Sequence, residues 1–159
     1  MENTAQRLQG KDWLEAQRVE YVAHPLKYPQ DPSALMRTLH CKPEQLLQTH
    51  FYMGKRGPIL VVHSFSARVD VAKLELHSGD TGIRVGTADE CMQATGLTLE
   101  RLHPFLENYL WKVLDEKIFE QERVFIYAGG EDEVLEVDSN SLKYVIGVIN
   151  GLLAEVTAH

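Results

Sequence analysis

Apolar and polar positions alternate over short stretches of this chain and recur at helical spacing over others, dividing it into brief strands and helices. Thr4 to Gln17 carries Ala5, Leu8, Trp13, Leu14 and Ala16 in an imperfect helical stripe interrupted by Gly10, which predicts a first helix. Val19 to Val22 reads as a strand ending at His24-Pro25, because the residue before a proline is pushed to extended geometry. Prolines 25, 29, 32 and 43 punctuate the next stretch, and Pro32-Ser33-Ala34-Leu35-Met36 starts a short helix. Leu46 to Tyr52 and Pro58 to His63 are β-prone runs joined by Met53-Gly54-Lys55-Arg56-Gly57, which predicts a hairpin with a basic tip. In such a strand Gln48 and His50 share one face and Thr49 takes the other, so one of the two sets serves the core.

Further along, Asp70 is placed to cap a helix through Leu74, and Gly82 to Val85 reads as a strand. Thr87-Ala88-Asp89-Glu90 matches a capping box, whose helix should run to about Ala94. Trp111 to Leu114, Arg123 to Tyr127 and Val134 to Val137 are three more strand candidates, the last two joined by a glycine-containing turn. Ser139 or Asn140 can cap a final helix with an apolar face of Leu142, Val145, Ile146, Ile149, Leu152 and Leu153. Strands and helices mix without strict βαβ alternation, which predicts one α+β (mixed α/β) domain over residues 1–159, not a doubly wound nucleotide binder.

Composition narrows the classes. A chain of 159 residues can bury a real core, and 44% hydrophobic and 25% charged residues are ordinary for a soluble protein. No apolar run approaches the roughly 20 residues of a membrane span. The start, Met-Glu-Asn-Thr-Ala-Gln-Arg, lacks the apolar core of a secretion signal, so a cytoplasmic location is expected. Cys41 and Cys91 form no CxxC pair, which fits a reducing compartment and argues against zinc. A net charge of −7 disfavours coating nucleic acid by charge alone. Lys55, Arg56, Arg68, Lys73, Arg84 and Arg101 are candidates for a local basic patch, and scattered solvated charges are the simpler reading.

Several reaction types lose support at once. The chain has no GxxxxGK[ST] phosphate loop, no GxSxG elbow, no HExxH and no GxGxxG opening a helix. Its histidines are too widely spaced for a local metal signature, so no cofactor and no metal are expected.

The order of elements resembles the YbaK and prolyl-tRNA-synthetase-associated editing domain from about Val19 to about Leu142. The resemblance rests on Tyr21 to Pro25, Leu47-Gln48-Thr49, Gly57 to Val62, Arg68 to Leu74, Thr95-Gly96, Pro104-Phe105, Leu114-Asp115 and Ala128-Gly129. It implies a mixed, curved, mostly antiparallel sheet flanked by helices. It also implies a free-standing deacylase that hydrolyses the ester between a wrongly attached small amino acid and its tRNA. Mischarged tRNA is then the expected partner, with an aminoacyl-tRNA synthetase as a further candidate.

Two departures from the family pattern bear on activity. The family's lysine, which faces the aminoacyl end, corresponds to Gln48, which hydrogen-bonds but carries no charge; a protonated His50 is a candidate substitute. The family's Gly-Gly-x-x-Pro corresponds to Glu100-Arg101-Leu102-His103-Pro104, where the backbone of Leu102, His103 and Pro104 is the expected oxyanion side, with Gln48 beside it. Arg101 is either a replacement charge for an anion or an exposed partner of Glu100. By resemblance, Tyr21, His24, Thr49, His50, Ala128, Gly129 and Gly130 join Gln48 and Arg101 as substrate-binding candidates, and Lys55 and Arg56 are candidates for tRNA contact. Asp115 reads as a strand-end or capping residue. The two functional readings are an editing deacylase and a family member that has lost hydrolysis and binds an aminoacyl, nucleotide-like or protein ligand.

Overall fold

In the computed structural model, residues 10–106, 110–130, 132–145 and 151–158 are described. Local capping chemistry sets most helix boundaries. Helix α1 spans Gly10–Ala16; the first part of the predicted helix, residues 4–9, lies outside the described residues. After strand β1 (Tyr21–Pro25), helix α2 (Pro32–Leu39) begins with proline in its first turn and the Asp31 carboxylate accepting from the Ala34 N–H at 3.2 Å. Strands β2 (Leu47–Gly54) and β3 (Gly57–Ser64) form the expected hairpin, closed by the two-residue turn Lys55-Arg56. After the short β4 (Arg68–Val69), helix α3 (Val71–Ser78) is capped by Asp70. Beyond β5 (Arg84–Val85), helix α4 (Ala88–Thr95) carries the complete Thr87/Glu90 capping box and ends at Gly96, whose φ of 77° is costly for other residues.

A 3-10 turn, Leu99–Arg101, leads towards β6 (Trp111–Asp115), and a second, Glu116–Glu120, towards β7 (Arg123–Ile126) and β8 (Glu133–Asp138). Helix α5 (Ser139–Val145) starts slightly earlier than expected, with Ser139 and Asn140 inside it and the Asp138 carboxylate accepting from the Asn140 N–H at 2.8 Å, and Leu152 and Leu153 do not continue it. They lie in strand β9 (Gly151–Ala154), which pairs in parallel with β6, while Ile146 and Ile149 fall outside the described residues. The apolar spacing suited either element. The long-range ladder with a buried central strand decided it. A last short strand, β10 (Thr157–Ala158), pairs with β4.

The fold is mixed α+β. Its described strands form a five-stranded sheet ordered β5-β2-β3-β6-β9, an antiparallel three-stranded sheet β1-β8-β7, and the β4-β10 pair. The predicted single sheet is therefore divided, with an isolated bridge from Leu46 to Phe125 joining the larger two. The largest core cluster, including Trp13, Leu47, Val62, Leu114, Val124, Leu135 and Leu142, draws on both sheets, α1 and α5. Another cluster, with Tyr52, Val61, Leu74 and Val113, lies on the opposite face of the large sheet beneath α3. A smaller one sets the site: Phe51 and Leu60 hold Leu102 and Leu106, with Cys91 of α4. Burying a side chain such as Leu102 contributes about 1.5–3 kcal/mol, enough to fix the segment after the 3-10 turn against β2.

Candidate active site

Between β2 and the Leu99–Arg101 turn lies a cavity of about 220 Å³, lined by residues that include Leu47, Gln48, Thr49 and His50 on one side and Leu99, Glu100 and Leu102 on the other. Tyr28, Pro29, Ile126 and Tyr127 close it. An adjoining hollow of about 490 Å³ shares Thr49, His50, Leu99, Glu100 and Leu102 and extends to Phe51, Tyr52 and Val85. The two halves of the sequence pattern, around Gln48 and around Leu102, are thus opposite walls of one space.

The hydrogen-bond parity of β2 determines what this wall offers. The Phe65 N–H donates to the Leu46 carbonyl at 2.8 Å, so even-numbered residues of β2 turn their backbone groups to β3. Leu47, Thr49 and Phe51 turn theirs the other way, and Phe51 duly accepts from the Gly86 N–H at 3.0 Å. Strand β5 pairs with β2 only at Tyr52 and Met53. The backbone N–H and C=O of Thr49 therefore project from an edge that no described strand covers, beside the cavity. No hydrogen bond among the described residues engages the Gln48 amide or the Thr49 hydroxyl.

His50 does not supply the missing charge. Its Nδ1 lies 3.1 Å from Nε2 of His63, and burial, then the neighbouring His63, pushes its pKa down to about 4. At neutral pH it is an uncharged acceptor or donor. His63 is itself buried and shifted downward, chiefly by desolvation, against the opposing influence of the Ser64 and Ala67 backbone and Asp115.

Arg101 is neither a solvated ion nor aimed at an open anion site. Its guanidinium donates to the Tyr127 hydroxyl at 3.2 Å and to the Tyr28 carbonyl at 3.1 Å. Those two tyrosines stack with ring centroids 4.0 Å apart and planes 8° apart, and burial, then Tyr127, raises the Tyr28 phenol to about 12. Arg101 thus braces the wall opposite Gln48.

Other expectations are corrected by placement. His103 and Pro104 are buried and absent from the lining; the His103 Nδ1 accepts from the Phe105 N–H at 3.2 Å, and a proline has no N–H to offer an oxyanion. Of that trio only Leu102 reaches the cavity. Tyr21 donates its hydroxyl to Glu15, and His24 pairs with Glu136 at 2.8 Å, both away from the cavity lining. Ala128 accepts from the Gly10 N–H, and Gly130 packs on Glu133, so Ala128, Gly129 and Gly130 shape the turn after Tyr127 without lining the space. Lys55 and Arg56 sit at the far end of the hairpin, roughly 20 Å from Gln48 at the usual rise per strand residue. The other basic candidates do not converge: Lys73 faces Glu155, and Arg84 pairs with Glu90. Asp115 is fully buried at the end of β6, accepting from the Val156 N–H and the Thr157 hydroxyl at 3.0 Å each.

Tyr28, Pro29, Leu99, Glu100 and Tyr127 were missed as site residues. The signal in the sequence is the aromatic-proline pair at 28 and 29. Among the described residues no group of three or more His, Cys, Asp or Glu side chains could hold a metal ion, and no helix is long and apolar enough to cross a membrane.

A cleft between a strand edge and a 3-10 turn, in a mixed α+β domain, is a candidate small-ligand site. The aminoacyl-tRNA editing domain profile matches residues 30–144, and the chain belongs to that family. Among solved structures, the hypothetical protein APE2540 is similar over 93% of this chain and 98% of its own, with a TM-score of 0.83 and 18% identity. A protein described as a proposed trans-editing enzyme for prolyl tRNA synthetase is similar over 100% of this chain and 99% of its own, with a TM-score of 0.78 and 19% identity. At such identities the likeness is one of fold. No curated protein sequence matches the chain.

Proposed function

We propose that the cavity receives the aminoacyl end of a mischarged tRNA and that the chain is a trans-acting deacylase for a small amino acid. The observation that carries this reading is the shared cavity itself, with Gln48 and Thr49 facing Leu99, Glu100 and Leu102. Its volume of about 220 Å³ lies below the roughly 300–1,000 Å³ of sites for drug-sized ligands, which suits a small side chain. The adjoining hollow of about 490 Å³ has room for the terminal nucleotide. Gln48 and the Thr49 hydroxyl bind the amino-acid side. The outward Thr49 N–H, with the Leu102 backbone opposite, holds the ester carbonyl as negative charge develops on its oxygen. The Tyr28–Tyr127 stack braced by Arg101 sets the size limit. Lys55 and Arg56 contact the tRNA away from the reacting end, and the work is done in the cytoplasm, where tRNA is charged.

The test is release of amino acid from a panel of mischarged tRNAs by the purified protein and by Gln48→Ala. Turnover of one or more small aminoacyl esters, weakened in the folded variant, is the expected result. Binding without turnover across the panel would instead identify a module that has kept the fold and lost the chemistry.

A further inference from the structure

The hairpin brings together two histidines that a lone-residue reading treats separately. With Gly54 opposite Gly57, the register places His63 opposite Gln48, so His50 and His63 are diagonal neighbours on one face of the sheet. Their rings meet edge to face, centroids 4.8 Å apart at 70°. His63 is buried, and its Nδ1 lies 2.9 Å from the Ser64 carbonyl oxygen. A carbonyl only accepts, so His63 carries its proton on Nδ1 and presents a lone pair at Nε2. That lone pair faces the His50 Nδ1 at 3.1 Å, which must then be the protonated nitrogen of His50. The backbone thereby sets the tautomer of both rings. The Nε2 of His50 is left as an acceptor on a residue that lines both hollows.

Resting on the deacylase reading above, we infer that His50 Nε2 takes the proton from the water that attacks the aminoacyl ester, and that His63 is the residue that positions it. Water oxygen bonds to the ester carbonyl carbon as its proton passes to His50 Nε2. The bond from that carbon to the ribose oxygen then breaks, and His50 returns the proton to the departing oxygen. The products are the free amino acid and a ribose hydroxyl, with His50 neutral again. A base oriented by a third group through its other nitrogen is the arrangement found in hydrolytic triads, here with a neutral ring as the orienting group. Among the described residues, the charged and titratable neighbours are His63 on β3, Asp115 on β6 beyond it, Glu100 across the cavity, and the phenols of Tyr28, Tyr127 and Tyr52 that line the two hollows. Glu100 is the competing base. No hydrogen bond among the described residues orients its exposed carboxylate, whereas His50 is held at the end of a two-bond chain.

The experiment measures single-turnover deacylation for the unaltered protein, His50→Ala, His63→Phe, His63→Gln and Glu100→Gln, using the mischarged tRNA it hydrolyses best. His50→Ala should lose about 10-fold or more in rate, less than the usual span for a general base because a pKa lowered to about 4 makes the imidazole a weak one, with little change in substrate affinity, and added imidazole should restore part of it. His63→Phe should lose about 10-fold, and His63→Gln, whose amide oxygen can accept from His50 Nδ1, should recover most of that. Nitrogen-15 shifts should report both rings protonated at Nδ1. The inference is overturned if folded His50→Ala keeps its rate within about 3-fold, if Glu100→Gln abolishes the single-turnover step even at saturating enzyme, where weaker binding of the substrate ammonium no longer limits the rate, or if His50 carries its proton on Nε2. In those cases the deacylase reading stands. Absence of turnover by the unaltered protein on every substrate removes that reading and this inference together.

Discussion

Lys112 is a fully buried lysine in the middle strand of a parallel ladder, and its burial makes a quantitative prediction. Desolvation lowers its pKa from the ordinary 10.5 to about 8, while its ammonium donates to the Leu106 carbonyl at 3.0 Å. Between pH 8 and 10.5 the folded protein therefore binds fewer protons at this site than the unfolded chain, and stability rises with pH across that window. Below it the full penalty applies, about 3 kcal/mol for a drop of this size, a net value in which the hydrogen bond to Leu106 is already included. Lys112→Met removes the titration and keeps the length of the side chain. The difference in unfolding free energy between variant and parent, measured by urea denaturation, should shift by about 3 kcal/mol in the parent's favour from pH 7 to pH 10.5. Other titrating groups cancel in that difference. A gap that stays constant with pH would refute the reasoning, since it would mean that the ammonium is as well solvated in the fold as in the unfolded chain.

Gly86→Ala should destabilise by about 1–3 kcal/mol in thermal unfolding, because a Cβ there would lie 2.1 Å from the buried Phe51 ring. Arg101→Ala, losing its bonds to Tyr127 and the Tyr28 carbonyl, should cost about 1–2 kcal/mol after allowing for its partial exposure and lower the melting temperature by a few degrees; if it instead leaves stability unchanged, the bracing role fails. Asp115→Ala strands the Val156 N–H and the Thr157 hydroxyl and should cost about 2–4 kcal/mol by urea denaturation. Affinity for tRNA should fall only gently with salt, with a logarithmic slope of about −1 to −2, since Lys55 and Arg56 are the cations proposed for contact; a slope near −5 would show a broad basic footprint.

What could be read from the sequence was local. Asp31, Asp70 and the Thr87/Glu90 box act within one helical turn, and the two-residue Lys55-Arg56 turn fixes the hairpin register, so these elements follow from nearby residues. The His50–His63 pair was legible in the same way, since the register 54 to 57 implies 48 to 63, although lone-histidine reasoning passed over it. What could not be read depends on contacts distant in the chain. Leu152 and Leu153 fit a helical stripe, and only the ladder to Val113 and Leu114 makes them strand. His103 and Pro104 fall at the family's loop positions, yet packing turns them away from the cavity, and of the three only the equally buried Leu102 lines its wall. Tyr28 and Tyr127 are far apart in the chain and become a wall only by stacking.

The departures at Gln48 and at the loop are coupled through charge. A lysine at position 48 would place a cation on the cavity wall, where it could attract phosphate as well as polarise an ester. With glutamine there, His50 held neutral, and Arg101 bonded to Tyr127 and Tyr28, the acidic side chain among the described residues that line the space is Glu100. Such a wall suits the α-ammonium of an aminoacyl ester better than a phosphate, because unlike charges attract across a space this small and like charges repel. Under the proposed function, recognition of the RNA is then separated from recognition of the amino acid, the first assigned to the hairpin tip and the second to the cavity. On the deacylase proposal, a free amino acid would lack the nucleotide assigned to the adjoining hollow and would add a carboxylate that Glu100 opposes, so the charge arrangement that favours the ester would also favour departure of the hydrolysed product.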